Sequence, residues 1–407
     1  MRVLHTSDWH LGHRLHDHDR NEEHAQFLEW LLGAIETQRA DALVVAGDIF
    51  DTANPTHAAL EQYYRFLMGL RQTCCRHVVI IGGNHDSPGT LNAPREILRF
   101  LNIHVTGKAH DHPDDELISL RDRAGRLEGV ICAVPFLRDR DIRQAVAGES
   151  YAEMEGRLKE GIVRRYRQAA AHALPFKELP IPIIATGHLF ASGGQLSDAL
   201  EASEKPIHIG TLGNVHAEEF PDAFDYIALG HLHRPQKVSG REHIRYAGSP
   251  LPLGFSEFED RKTVYLVEFS GSRLESVAPL EVPSRRRLVR LRGPIAGLTE
   301  ALLGLDDPAG LKTWVEVRAE LEAYDPYFVQ KMNELVKGRN LAILKYQVTY
   351  PNRPQSLDEL MPERTLSDLS PEEVFRRKCE SEQFNLEGNP DILGAFRELL
   401  EEMESQE

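Results

Sequence analysis

The chain of 407 residues lacks the features that mark secreted, membrane-spanning and disulfide-stabilised proteins. It has only four cysteines and no CxxC spacing, so we expect reduced, structural thiols. No run of about 18 apolar residues occurs, and no membrane span is predicted. The opening residues MRVLH have no apolar signal region, which favours a cytoplasmic location.

An excess of positive charge is also missing, since the formal net charge is −16. This balance argues mildly against a protein that binds nucleic acid unaided. Residues 351–407 contain 6 basic and 15 acidic residues, a net of −9, so more than half of the excess lies there. The remaining composition is ordinary for a folded protein, with 41% hydrophobic and 27% charged residues, and the length predicts two or three domains.

Apolar runs alternate with helical patterns in the first part of the chain. Asn21 is expected to cap the first of these helices. The β-α-β-α-β order, with strands that are apolar throughout, indicates a buried parallel sheet with helices on its faces. The predicted buried strands cover residues 3–6, 42–46, 77–81, 181–186 and 226–229.

A change of pattern near Pro283 predicts a domain boundary that follows a first domain of residues 1–282. Residues 283–350 repeat a compact β-α-β-α-β pattern, which predicts a small α+β domain. The arginines at 285–287 are expected to lie in a solvated linker, with phosphate contact as the alternative. Three prolines mark 351–362 as a linker, and 363–407 is predicted to form helices. An apolar stripe there favours either ordinary packing or partner docking, and consists of Ile392, Phe396, Leu399, Leu400 and Met403.

Five predicted strands end in a small residue followed by side chains that bind metals. The sequences at these ends are DWH, GD, GNHD, GH and GHLH in chain order. In open α/β sheets the functional crevice lies beyond the carboxyl ends of the strands, so we expect these side chains to meet. Carboxylate, amide and imidazole groups suit divalent ions such as manganese. The candidate ligands are Asp8, His10, Asp48, Asn84, His188, His231 and His233.

Seven such groups exceed what one ion needs from a protein, and they suit two ions that share a carboxylate. Two metals about 3.5–4 Å apart can activate water and neutralise a phosphate. No serine or cysteine nucleophile stands out. His85 is expected to act on the leaving oxygen or on developing charge, with Asp86 orienting it. The structural alternatives are a helix cap for Asp48 and a turn residue for Asn84, and His5 is expected to be a packing residue.

The motif order DxH…GD…GNHD…GH…GHxH resembles the calcineurin-like metallophosphoesterase superfamily, and within it the SbcD family of nuclease subunits. The resemblance runs from HTSDWHLG through VVAGDIFD, GGNHDS and ALGHLHRPQ to YAGSPLPL, and covers most of residues 1–282. It implies an α/β core of two packed mixed β-sheets flanked by helices, a small capping domain that guides DNA, and C-terminal helices. The implied ligands are Asp8, His10, Asp48 and His233 for one manganese, and Asp48, Asn84, His188 and His231 for the other, with His85 as catalytic histidine.

The same resemblance implies an activity and partners. The expected activity is manganese-dependent cutting of DNA in repair and recombination, as a 3'-5' double-strand exonuclease and a single-strand and hairpin endonuclease, with magnesium as the alternative metal. The expected partners are DNA, an SbcC-like ATPase whose coiled coil receives the C-terminal helices, and a second copy of the chain within a heterotetramer at the nucleoid. Archaeal and eukaryotic relatives have a second histidine just after the GD motif, where this chain has Asp51.

Two other functions stay open at this point. One is a phosphatase or cyclic-nucleotide phosphodiesterase on the same fold, although a small-molecule enzyme needs neither C-terminal module. The other is a non-catalytic scaffold, which could lose its ligands, whereas none of the seven is missing here.

Overall fold

The computed structural model describes residues 1–142, 149–191, 214–306 and 310–350, together with 372, 375, 376, 379 and 392–396. The predicted linker at 351–362 and most of the predicted C-terminal helices lie outside the described residues. The chain divides into two compact units. The first contains Met1–Arg290, Asp307–Glu316 and Arg339–Leu344, and the second contains Leu291–Asp306, Val317–Gly338 and Lys345–Glu407.

Seventeen strands and eight helices are labelled here in chain order among the described residues. The strands are β1 (Arg2–Thr6), β2 (Arg14–Leu15), β3 (His18–Asp19), β4 (Ala42–Ala46), β5 (His77–Ile81), β6 (Ile103–Thr106), β7 (Leu117–Arg121), β8 (Leu127–Cys132), β9 (Ile183–His188), β10 (Tyr226–Gly230), β11 (Gln236–Val238), β12 (Arg241–Tyr246), β13 (Thr263–Ser270), β14 (Arg273–Glu281), β15 (Leu288–Gly293), β16 (Thr313–Glu320) and β17 (Leu341–Thr349). The helices are α1 (Asn21–Gln38), α2 (His57–Leu70), α3 (Pro88–Asn92), α4 (Arg95–Arg99), α5 (Asp139–Ile142), α6 (Tyr151–Ala173), α7 (Ile295–Gly304) and α8 (Phe328–Val336).

Two mixed six-stranded sheets form the body of the first unit, as the resemblance implies. Sheet 1 has the order β14-β13-β1-β4-β5-β6, with β1, β4, β5 and β6 parallel and β13 antiparallel to β1. Sheet 2 has the order β11-β12-β10-β9-β8-β7, with β8, β9, β10 and β12 parallel. A third sheet has the order β15-β16-β17, and β2 and β3 form a short hairpin.

The two large sheets pack face to face, and helices cover their outer faces. Ala42, Val44 and Ala46 of β4 belong to the core between the sheets, whereas Leu43 and Val45 pack in the core beneath α1 and α2. Since β4 is buried on both faces, each of its residues is apolar. Helices thus cover one face of sheet 1 and a second sheet covers the other, as the resemblance implies, whereas the apolar pattern alone indicated helices on both faces.

His5 of β1 lies in the core between the sheets and is a packing residue, as predicted. Its Nδ1 lies 3.0 Å from the Tyr226 hydroxyl and its Nε2 lies 3.2 Å from the Leu229 carbonyl oxygen. Burial lowers the pKa of His5 to about 3, so the ring is neutral near pH 7. All four cysteines lie among the described residues and carry free thiols. No helix in the described part of the chain is long and apolar enough to cross a bilayer.

Two predictions about charged and polar residues are wrong. Helix α1 begins at Asn21, but its N-cap residue is Arg20 and no side chain caps the helix. The solvated linker predicted at 285–287 is wrong at Arg286, whose side chain is only 10% exposed and pairs at 3.0 Å with the buried Glu23 carboxylate, whereas Arg285 and Arg287 are exposed. The Arg286 guanidinium also lies 3.9 Å from the ring centroid of Trp314, and Arg20 binds Glu23 from the other side at 2.6 Å.

We expect Glu23→Ala to lower the free energy of unfolding by about 3–5 kcal/mol, because two buried guanidinium groups would lose their shared partner. Chemical denaturation followed by circular dichroism measures this loss. The neighbouring Glu22→Ala is the matched control, since Glu22 is exposed and the change should cost about 0.5 kcal/mol or less. Equal losses in the two variants would contradict a structural role for the Glu23 pairs.

Candidate metal centre

The turns that follow five parallel strands meet where the two large sheets adjoin. Asp8 and His10 follow β1, Asp48 follows β4, and Asn84 follows β5. His188 ends β9 of the second sheet, while His231 and His233 follow β10. The ring Nδ1 of His188 lies 2.9 Å from the Ala46 carbonyl oxygen at the end of β4, which joins the two sheets at the site. The structure therefore brings together side chains that span more than two hundred residues of sequence.

Four of the seven candidate ligands have a left-handed backbone. The φ angles are 51° at Asp8, 46° at His10, 49° at Asp48 and 100° at His231. Such angles are uncommon for residues other than glycine and cluster at functional sites. Backbone hydrogen bonds hold two of these turns, because the N–H of Asp8 donates to the Gly47 carbonyl and that of His10 to the Asp48 carbonyl, each at 3.0 Å.

Two glycines allow the turns to approach each other closely. Gly47 has a φ of +91°, and a Cβ there would overlap the His188 ring. A Cβ at Gly83 would overlap the Asp48 carboxylate. The glycines of the GD and GNHD motifs are therefore required by the space that Asp48 and His188 occupy.

Three hydrogen-bond acceptors converge on one point beside Asp48. The Ala46 carbonyl only accepts, so Nδ1 of His188 carries a hydrogen, and in the neutral ring Nε2 is an acceptor. Nε2 lies 2.9 Å from Asn84 Oδ1 and 3.1 Å from Asp48 Oδ2. Asn84 Oδ1 also lies 3.2 Å from Nδ1 of His231. Oxygen and imidazole nitrogen acceptors this close together need a proton or a cation between them, and their types fit a divalent metal ion.

The electrostatics of the cluster agree with this interpretation. Burial disfavours a charged imidazole, but the Asp48 carboxylate outweighs it and raises the pKa of His188 to about 9. Burial also opposes ionisation of Asp48, yet His188 lowers the pKa of Asp48 below its usual range. A proton thus occupies the point where a cation would bind, and a bound cation would displace it.

A second group of ligand types lies next to the first. Asp8, His10 and His233 offer ligand atoms within 4.8 Å of one another, as do Asp8, Asp48 and His188. Neither ring nitrogen of the buried His10 has a well-formed hydrogen bond among the described residues, although Nδ1 lies 3.3 Å from Asp51 Oδ1. An imidazole buried in this way fits a metal ligand.

His85 belongs to the same centre, and its ring centroid lies 4.9 Å from that of His10. Its Nδ1 lies 2.8 Å from the backbone oxygen of Asp51, which places a hydrogen on Nδ1 because a carbonyl only accepts. Its backbone N–H donates to Asp48 Oδ1 at 2.9 Å. His85 is thus held at the edge of both groups of ligand types.

Asp86 does not take the orienting contact to His85 that the sequence suggested. Its carboxylate accepts from the backbone N–H groups of Gly83, Ile49 and Phe50 at 2.8, 3.1 and 3.0 Å. The contact to the His85 ring comes instead from the Asp51 backbone oxygen. Burial and the nearby Asp48 charge raise the pKa of Asp86 to about 6. Asp86 therefore ties the β4 turn to the β5 turn and acts on the shape of the site through the backbone.

Three further residues support this centre: sequence reasoning noted Asp51 without assigning it a role, and it missed Glu257 and Arg138. Asp51 contacts both His10 and His85, Glu257 contacts the His233 ring at 3.3 Å, and Arg138 donates to the Asp86 carbonyl at 3.0 Å. Asp51 could have been found from its place three residues after Asp48. Nothing in the local sequence around Glu257 or Arg138 indicates such contacts.

Family comparisons match two parts of the chain. Residues 1–235 match the calcineurin-like phosphoesterase family, and residues 284–383 match a family described as the type 5 capsule protein repressor C-terminal domain. The first match contains all nine residues that the sequence analysis selected for the site.

Curated relatives cover most of the chain. The SbcD chain of the SbcCD nuclease of Escherichia coli strain K12 is 41% identical over 95% of this chain and 94% of the relative. The proteins of the same name from Rhodobacter capsulatus and Bacillus subtilis are 38% and 32% identical, over 75% and 83% of each chain. A solved structure, TT1561 of Thermus thermophilus, aligns with a TM-score of 0.36 and 12% identity over 69% of this chain and 99% of that one, which is too distant to inform the site. By sequence, the chain belongs to the SbcD family of calcineurin-like phosphoesterases.

Proposed function

We propose that the chain is a DNA nuclease that hydrolyses phosphodiester bonds with two divalent metal ions, as the nuclease component of an SbcCD-type complex. The observation that carries this proposal is the convergence of His188 Nε2, Asn84 Oδ1 and Asp48 Oδ2, beside a second group formed by Asp8, His10 and His233. Two adjacent cation sites that share a carboxylate suit the transfer of a phosphoryl group to water.

The residues divide into two ligand sets. Asp8, His10, Asp48 and His233 would hold one ion, and Asp48, Asn84, His188 and His231 would hold the other, with Asp48 between them. Manganese is the proposed ion at both positions, with magnesium as the alternative, because the ligands combine oxygen with imidazole nitrogen and include no sulfur. When bound, the ions would supply Lewis-acid activation of water and neutralise charge on the phosphate.

The side chains outside the ligand sets have separate tasks. His85 in its protonated form would donate a hydrogen bond or a proton from Nε2 to the phosphate or the leaving oxygen, while Nδ1 donates to the Asp51 carbonyl. Asp86 would keep the β4 and β5 turns in place through its three backbone hydrogen bonds. In this proposal His85 performs the acid-base chemistry, and Asp86 maintains the geometry of the two turns.

DNA is the proposed substrate because the curated relatives carry the name of a nuclease. The proposed activities are 3'-5' cutting of double-stranded ends and endonucleolytic cutting of single strands and hairpins, in DNA repair and recombination at the nucleoid. The proposed domains remain residues 1–282 for catalysis, 283–350 for guiding DNA, 351–362 as linker and 363–407 for partner binding. A net charge of −16 fits a nuclease that gains DNA affinity from its partner.

The proposed partner is an SbcC-like ATPase with a coiled coil, in a heterotetramer that contains two copies of each chain. The C-terminal residues support a docking role for the tail. Phe375 and Phe396 stack with ring centroids 4.0 Å apart, while Ile392 on the same predicted stripe is 41% exposed. Phe396 of the stripe thus packs within the tail, and Ile392 is exposed at the position where the proposal places a partner.

We expect His85→Ala to lower kcat for DNA cutting by about 100- to 10,000-fold, because general acid-base catalysis contributes that much, with two manganese ions still bound. Digestion of labelled duplex DNA measures the first effect, and calorimetric titration with manganese measures the second. His172→Ala, at the end of α6, is the matched control and should cut at the normal rate. Normal cutting by His85→Ala would contradict the role of His85, and loss of an ion would make it a ligand instead.

We expect the chelated protein to lose its activity and to regain it with manganese, on plasmid DNA far more than on p-nitrophenyl phosphate esters. The physical reason is that the proposed ions supply both the activated water and the charge that stabilises the phosphate. Rates on both substrates, with and without added manganese, provide the measurement. A preference for the small esters would favour a phosphatase, and full activity without divalent ions would contradict the metal-dependent mechanism.

We expect deletion of residues 363–407 to abolish association with an SbcC-like ATPase while manganese binding stays normal. The apolar stripe would be lost, whereas every proposed ligand lies before residue 234. Co-purification of the two proteins and manganese titration of the shortened chain measure these effects. If the shortened chain still co-purifies with the ATPase, the docking role is refuted.

A further inference from the structure

A buried ion pair lies beside the candidate ligand His233. Glu257 is fully buried, and its Oε1 lies 3.3 Å from Nδ1 of His233. Its Oε2 accepts from the Lys262 ammonium at 2.6 Å and from the Leu253 N–H at 3.1 Å. Both carboxylate oxygens therefore have defined partners, and one partner is the ring of a proposed metal ligand.

Lys262 holds the backbone of the same histidine. Its Nζ donates to the His233 carbonyl oxygen at 3.1 Å and to the Ser249 hydroxyl at 3.0 Å. The Ser249 N–H also donates to the His233 carbonyl, at 3.1 Å. The pair thus fixes His233 at two points, the ring through Glu257 and the main chain through Lys262.

Burying a pair of charges costs free energy, because both groups lose their hydration. Apolar residues of similar size would fill the same volume without that cost. What a buried carboxylate can do is fix the orientation and the hydrogen position of the ring that it contacts. A carboxylate that faces Nδ1 keeps the ring hydrogen on that nitrogen, so the lone pair lies on Nε2. Histidines that bind metals commonly have this kind of carboxylate partner on the other nitrogen, which also raises their basicity.

The ring of His233 also adjoins the candidate site. Its centroid lies 5.2 Å from that of His10, and one of its ring nitrogens lies within 4.8 Å of one ligand atom of Asp8 and one of His10. We infer that Glu257, clamped by Lys262, is a positioning residue that sets the tautomer and orientation of His233 for binding a divalent ion. This inference rests on the proposed function, because it assigns a task to a residue behind one of the proposed ligands.

The test uses the full chain and manganese alone as the probe. We expect Glu257→Gln to weaken one of the two manganese binding steps by about 10- to 100-fold, the usual effect of losing such a partner, and to leave the other step unchanged. An amide cannot accept from both His233 and Lys262 as the carboxylate does. Calorimetric titration resolves the two steps, and electron paramagnetic resonance distinguishes isolated manganese from a coupled pair.

Glu116→Gln is the matched control for the loss of a buried charge. Glu116 is 1% exposed, and its carboxylate binds Arg165 and the N–H of His110 instead of a proposed ligand. This variant should lose stability with both manganese affinities unchanged. If Glu257→Gln behaves in the same way, Glu257 is merely structural and the inference is overturned.

Two further variants make the result decisive. Glu257→Asp keeps the charge for Lys262 but withdraws the carboxylate from His233, so it should fold normally and still weaken the same binding step. In a His233→Ala background, Glu257→Gln should have no added effect on manganese affinity, whereas an undiminished effect would show that Glu257 does not act through His233.

The same titrations distinguish failure of the inference from failure of the proposed function. If the unaltered chain binds fewer than two ions, both the proposed function and the inference fail. If it binds two and Glu257→Asp binds them equally well, only the inference fails.

Discussion

The convergence of acceptors beside Asp48 is the constraint on which the rest of the site depends. His188 Nε2 lies 2.9 Å from Asn84 Oδ1 and 3.1 Å from Asp48 Oδ2, an arrangement that is repulsive without a proton or a cation between the atoms. The fold maintains it with left-handed turns at Asp8 and Asp48 and with Gly47 and Gly83, where any side chain would collide. Apolar packing of the buried strands that precede these turns supplies the free energy that keeps the atoms close together. The contacts of the protein itself therefore hold these atoms close together, and a bound ion would displace the proton that lies between them.

The packing of two sheets explains why ligands so distant in sequence meet. Each sheet alone would present only its own strand ends, with Asp8, Asp48 and Asn84 on one and His188 and His231 on the other. Face-to-face packing through small residues such as Ala42 and Ala46 brings the two sets of strand ends together. The hydrogen bond from His188 to the Ala46 carbonyl then fixes the separation across the sheets. The metal centre is thus a consequence of the layer arrangement rather than of any single motif.

The strands and the candidate ligands could be predicted because their signals are local: an apolar run, a small residue and a ligand type follow one another in the chain. The apolar pattern alone could not show what covers sheet 1, since a run such as Leu43 to Ala46 is equally apolar beneath a helix or a sheet, and only the family resemblance implied the second sheet. The error at Arg286 arose because its partner Glu23 lies 263 residues away in the sequence, a contact that no local pattern encodes. Glu257 was missed for the same reason, as its contact with His233 joins turns 24 residues apart. The local sequence therefore identified the candidate ligands at the strand ends, whereas the residues that support those ligands depend on tertiary contacts.

Buried ion pairs also anchor the segment between the candidate ligand His233 and the third sheet. Arg20, held by Glu23, donates to the carbonyl oxygen of Pro252, and the next residue, Leu253, donates to Glu257. Glu23 is in turn paired with Arg286, which stacks on Trp314 at the start of β16. A continuous series of contacts therefore runs from Trp314 to the ring of His233 within one compact unit, and it consists of one cation–π contact, ion pairs, hydrogen bonds and the peptide bond between Pro252 and Leu253. A shift at Trp314 or Arg286 would therefore weaken these contacts unless Pro252 and Glu257 moved with it. The residues around Trp314 and the candidate metal centre are consequently linked within this unit, which helps to keep the ligands at the set distances that such a site requires.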